Sequence, residues 1–137
     1  MSRERPIRVM LFCTGNICRS PMAEAVLQQM VREAGLADQF EIVSSGTGAW
    51  HIGERPHFGT QALLRRKNIP LADHKVARQL KRDDLEYYDY LIAMDQMNLD
   101  DMQRLRTKPT GEVYRLLEFV PDSTTLDVPD PYYTGDF

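Results

Sequence analysis

The chain has 137 residues, 42% of them hydrophobic, which fits one domain (1–137) with a single sizeable core. Seventeen basic against 20 acidic residues leave a net charge of −3, so no nucleic-acid partner and no anionic membrane surface is indicated by bulk charge. No apolar run approaches a membrane span, Met1–Pro6 lacks a signal-peptide core, and two cysteines in one loop make no extracellular disulfide framework, so a cytoplasmic location is expected.

In chain order, Ile7–Phe12 is a mostly apolar run that reads as a buried strand. A helix follows: Ser20 suits its cap, Pro21 its first position, and Ala23, Val26, Leu27, Met30 and Ala34 form one face, with Gly35 closing it. Glu41–Ser45 reads as a second strand, and Trp50 and His51 fall in a loop punctuated by Gly53, Pro56 and Gly59. Thr60–Lys67 reads as a short helix with Ala62, Leu63 and Leu64 available for burial. A further helix begins near Asp83-Asp84, acidic residues at its positive dipole end. Tyr90–Met94 is a third strand, Asp95 caps a helix through Leu105, and Glu112–Leu116 is a weaker fourth strand. From Pro121 to Phe137 the Pro, Asp and Thr content predicts loop. Strands alternating with helices predict an α/β fold with a parallel sheet covered on both faces.

Between the first strand and first helix lies Cys13-Thr14-Gly15-Asn16-Ile17-Cys18-Arg19-Ser20-Pro21. Curled backbone amides followed by a helix N-terminus make an anion cup, and a sulfur held there is stabilised as thiolate. Gly15 and Asn16 tolerate positive φ, as tight loops require. An arginine in a first helical turn is unfavourable beside the dipole's positive end, and Arg19 is better explained if it grips an anion with its planar fork.

The string from Cys13 to Glu24 resembles the low-molecular-weight protein tyrosine phosphatases nearly letter for letter, and Asp130-Pro131-Tyr132-Tyr133 resembles the family's second signature. The resemblance spans Ile7 to Tyr133. It implies a four-stranded parallel sheet with the phosphate-binding loop between the first strand and first helix, and hydrolysis of phosphotyrosine in proteins through a phosphocysteine. Cys13 would be the nucleophile, Asp130 the general acid, and Arg19 with the loop from Thr14 to Ser20, including Gly15, Asn16, Ile17 and Cys18, the phosphate-binding set. No metal or other cofactor is implied. Tyrosinate is a poor leaving group, with a pKa of about 10, so an acid is needed, and prolines on both sides of Asp130 would fix its carboxyl. The resemblance also gives the Ser20 hydroxyl a bond to the sulfur, and gives Cys18 a reversible disulfide with Cys13 beside its purely structural reading.

Trp50, Tyr132 and Tyr133 match positions of the family's substrate cleft, though Trp50 in the core and tyrosines that merely pack the loop fit the sequence equally. Ile17 stands where related arginine phosphatases carry threonine, which favours a flat aromatic ester. Two departures stand out. His74 lies three residues before Ala77-Arg78, where the family has a loop-buttressing histidine two residues before; a reach to Asn16 and a surface position both fit. Family members also continue into a last helix beyond the point where this sequence stops, so either the sequence is truncated or one sheet face is incompletely covered, and lower stability or weak self-association is expected.

The expected partners are thus a tyrosine-phosphorylated protein and inorganic phosphate or other oxyanions in the loop. Arsenate reductases of this fold need further cysteines; a nucleotide P-loop needs lysine before Ser/Thr, absent at Arg19-Ser20. A dead phosphopeptide-binding module is disfavoured because Cys13 and Asp130 are both present.

Overall fold

In the computed structural model, which describes residues 5–135 and 137, four strands form one parallel sheet in the order β2-β1-β3-β4. They are β1 (Ile7–Cys13), β2 (Phe40–Gly46), β3 (Tyr90–Ala93) and β4 (Glu112–Arg115). Helices α1 (Arg19–Glu33), α2 (Phe58–Arg66), α3 (Arg82–Tyr87) and α4 (Gln96–Gln103) lie between the strands in sequence, and a short α5 (Pro131–Thr134) ends the chain. Among the described residues no helix is long and apolar enough to cross a membrane.

The period-2 alternation of β1 divides the core. Met10 and Phe12 point to one face, where they meet Leu85 of α3 and Met102 of α4. Val9, Leu11 and Cys13 point to the other, packed by Ala23, Leu27 and Val31 of α1. Burial of β1 on both faces from Val9 onward is what its apolar run after Arg8 anticipates. The register carries Cys13 opposite Gly46, so both strands end level at the carboxyl edge of the sheet. Ligands of parallel α/β sheets bind beyond that edge.

Three elements differ most from expectation. Helix α1 begins at Arg19, with Cys18 as its N-cap and no side-chain cap, so Ser20 lies inside the first turn rather than before it. Its sheet-facing stripe runs through Ala23, Leu27 and Val31, one position around from the predicted face, and Met30 is 59% exposed. Helix α4 ends at Gln103, two residues early. The C-terminal stretch contains α5, because Asp130 accepts the Tyr132 N–H at 3.1 Å and Pro131 suits the first turn.

Candidate active site

Cys13 is the last residue of β1, and the six residues after it wrap around its sulfur. The loop's shape follows from where its carbonyls go. Cys13 O accepts from Thr47 N at 2.9 Å, Thr14 O from Gly48 N at 2.9 Å, Ile17 O from His57 N at 2.7 Å and Cys18 O from Met22 N at 3.3 Å. In a planar trans peptide the N–H points opposite to its carbonyl. The amides of Thr14, Gly15, Cys18 and Arg19 are therefore turned away from these outward bonds, toward the hollow of the loop. The Asn16 amide donates to Cys13 Sγ at 3.3 Å.

Close backbone approach makes one glycine necessary. A Cβ on Gly46 would stand 2.7 Å from Thr14 O and 2.9 Å from Gly15 C, so only glycine lets the loop lie against the end of β2. Within the loop, left-handed backbone falls on Asn16 (φ 58°) and not on Gly15, which was expected to share it. Gly15 is instead held small by His51, whose Cδ2 would lie 2.9 Å from a Cβ there.

Arg19 is buried, with 3% of its side chain exposed. One guanidinium nitrogen donates to Asp95 at 2.6 Å and to Val128 O at 2.9 Å; the other meets Asp130 at 3.3 Å. Its Nε is buried without a partner among the described residues. The two carboxylates offset the cost of burying a cation at the positive end of α1, and the free Nε leaves one donor for an oxyanion.

Asp130, 111 residues along the chain from Arg19, is thereby brought to the Cys13 loop. Cys13, Thr14, Gly15, Ile17, Cys18, Trp50, His51, Asp130, Tyr132 and Tyr133 line one cleft of about 340 Å³. Cys13, 3% exposed, is its floor; Trp50 (74% exposed) and Tyr133 (80% exposed) are its rim. Trp50 is therefore no core residue. Asn16 and Ser20 are fully buried behind the loop and do not face the cleft.

The sequence model of the low molecular weight phosphotyrosine protein phosphatase family matches residues 8–137. The chain belongs to this family. It is 48% identical over 132 residues to the low molecular weight protein-tyrosine-phosphatase YfkJ of Bacillus subtilis, covering 96% of this chain and 84% of that one. The crystal structure of YfkJ superimposes with a TM-score of 0.94, covering 99% of this chain and 86% of that chain. PtpA of Staphylococcus epidermidis is 46% identical over 131 residues, covering 96% of this chain and 82% of that one. A Drosophila arginine phosphatase aligns with a TM-score of 0.82 at 31% identity, over 91% of this chain and 80% of that chain. The phosphocysteine chemistry expected from the signatures is that of the family.

Within this phosphatase the two cysteines are chemically unequal. Both are free thiols. Burial, then the charges of Asp130 and Cys13, push Cys18 up to about 12. A group raised that far stays protonated, and unreactive, until the pH nears 12. An alkylating agent at neutral pH should therefore label one thiol, Cys13, and peptide mapping that found Cys18 labelled at a similar rate would contradict the assignment.

Several residues around the site carry no local signature. Asp95 reads in sequence only as a helix cap, which it is, accepting the Asn98 N–H at 2.8 Å; its second oxygen holds Arg19. Asn98 in turn donates to Thr14 Oγ1 at 3.2 Å, tying α4 to the loop. His51, adjacent to Trp50, lines the cleft and packs edge-on to Tyr132 at 5.7 Å. His74 is exposed, and the residue that reaches Asn16 is Lys75.

Proposed function

We propose that this chain hydrolyses phosphotyrosine monoesters in proteins by double displacement at Cys13. The observation that carries this reading is the convergence at one cleft of a buried sulfur, an amide-lined loop and Asp130, with Arg19 behind the loop reaching the Asp130 carboxylate at 3.3 Å. The Cys13 thiolate attacks phosphorus and forms the S–P bond while the phenolic P–O bond breaks. Arg19 and the loop amides stabilise the equatorial oxygens. An arriving phosphoryl group competes with Asp130 for the Arg19 fork, which frees the carboxyl to face the leaving oxygen. Asp130 gives that oxygen its proton, then takes one from the water that cleaves the phosphocysteine. Inorganic phosphate and other tetrahedral oxyanions occupy the same cup as product and competitors.

The cleft supports an aryl ester over the alternatives. Cys13 lies on the floor and the aromatic side chains stand at the rim, so a substrate must bridge the two. A phenyl ring does this, whereas a serine phosphate holds its peptide too close. Ile17, buried against Cys18, Ala77 and Phe137, gives the cleft an apolar wall and offers the N–H groups of a phosphoguanidine no acceptor at that position. Sites that leave buried donors unpaired discriminate strongly against the ligand that bears them. On matched peptides, phosphotyrosine should turn over at least about tenfold faster than phosphoarginine or phosphoserine, corresponding to one unpaired polar group. Comparable or faster hydrolysis of phosphoarginine would overturn the specificity, and Cys13-independent turnover would overturn the mechanism.

A further inference from the structure

Around the mouth of the cleft the surface is apolar beyond what the cleft itself needs. Five of the twelve large hydrophobic side chains exposed among the described residues belong to the two segments that flank it: Trp50, Ile52 and Phe58 on one, Tyr132 and Tyr133 on the other. Single exposed hydrophobics are ordinary on a protein surface, but a cluster of them marks a contact. Trp50, Tyr132 and Tyr133 line the cleft and are used by the reading above. Phe58 does not line it, is 78% exposed, and has no part in that reading.

Phe58 is nevertheless joined to the cleft and held in place. His57 is the N-cap of α2, and its Nδ1 accepts the Gly59 N–H at 3.0 Å, which fixes the imidazole. Phe58 stacks on that ring at 4.3 Å and Phe137 at 4.7 Å, with interplanar angles of 30° and 19°. Two rings so nearly parallel to a third take its opposite faces. Phe58 therefore has the outer face, and Phe137, packed against Ile17 and Cys18, the inner. Tyr132 stands nearly perpendicular to the same imidazole, 6.1 Å away. A ring anchored in this way loses little conformational freedom when a second apolar group settles on it, which is the condition for a strong contact.

We propose that the Phe58 ring is a docking point for the substrate's own chain, taking an apolar side chain two or three residues from the phosphotyrosine. This rests on the phosphotyrosine reading and extends it to the flanking sequence. The steps from Tyr132 to His57, 6.1 Å, and from His57 to Phe58, 4.3 Å, match about three residues of extended peptide at about 3.3 Å each. With the phosphotyrosine ring in the cleft beside Tyr132, the backbone that leaves over Tyr132 and His57 brings such a residue to Phe58. The occupant is apolar because the Phe58 ring has no charge and no hydrogen-bonding atom; what it offers is removal of apolar area from water.

The test measures kcat and KM of wild type, F58S and F58E on phosphotyrosine peptides carrying leucine, serine, lysine or glutamate at one position, two or three residues before or after the phosphotyrosine. Each kcat/KM is taken relative to para-nitrophenyl phosphate, which has no flanking residues. In wild type, leucine should exceed serine about five- to tenfold at one of these positions, the worth of partly burying one aliphatic side chain. F58S should bring leucine within about twofold of serine there, through KM rather than kcat. F58E should prefer lysine at that same position, a gain that a damaged fold does not produce. Flanks that make no difference in wild type, or a leucine preference that F58S leaves intact, would overturn the docking point. Lysine matching leucine in wild type would place a cation on the ring face and overturn it equally. So would sedimentation showing that wild type self-associates through this patch and F58S does not, with no flank preference in either. Hydrolysis of para-nitrophenyl phosphate with no turnover of any phosphotyrosine peptide would instead sink the phosphotyrosine reading on which the proposal stands.

Discussion

Replacing Cys13 by serine should remove turnover by at least about 10⁴-fold while leaving phosphate affinity within a few-fold of wild type, by comparison with other covalent enzymes stripped of their nucleophile. The reason is that the loop supplies donors and no base. The Asn16 amide donates to position 13, and Ser20, already an acceptor for Asn16, is poised to do the same. A thiol ionises in such a setting, because sulfur bears the charge and the donors stabilise it. A serine hydroxyl needs its proton taken away, and no neighbouring group takes it. The inward amides and Arg19 are untouched by the change, so the cup itself survives. Turnover of para-nitrophenyl phosphate and calorimetric titration with inorganic phosphate separate the two effects. Residual turnover within about 100-fold of wild type would show that Cys13 does not attack phosphorus during the reaction.

Asp130→Asn should lower kcat on a phosphotyrosine peptide by about 10²- to 10⁴-fold, the usual worth of a positioned acid. The asparagine is nearly isosteric and remains a competent cap for α5, so the local backbone should hold. Arg19 loses one of its carboxylates but keeps Asp95 and Val128 O, and KM should change little. The size of the defect should depend on the leaving group. Nitrophenolate departs without help far more readily than tyrosinate, so the same variant should be less impaired on para-nitrophenyl phosphate. An equal defect on both substrates would mean that Asp130 acts through Arg19 rather than by proton donation.

The sheet was legible because its evidence is local. The central strands β1 and β3 are buried on both faces over Val9–Cys13 and Leu91–Ala93 and show it as apolar runs. The Cys13 loop was legible for the same reason, its amides, cation and sulfur all lying within seven consecutive residues. Asp130 was found only through resemblance; its composition reads as a turn, and it becomes part of the site because Arg19 reaches it from the other end of the chain. Asp95 gave no signal, since a helix cap is bland until folding sets it against Arg19, and Lys75 could be found only by its place two residues before Ala77, where the family has its loop-buttressing histidine. The displaced face of α1 has a similar origin. Helical periodicity fixes that a stripe exists, but the neighbour it packs against decides which of two adjacent stripes is used, and β1 takes the one through Val31.

The most direct measurement is rapid acid quench during turnover, followed by mass spectrometry of the intact chain and its peptides. The account predicts one added phosphoryl group, located on the peptide bearing Cys13, appearing before the steady state and absent from the Cys13→Ser variant. A phosphoryl group on any other residue, or full-rate turnover with none at all, would contradict it.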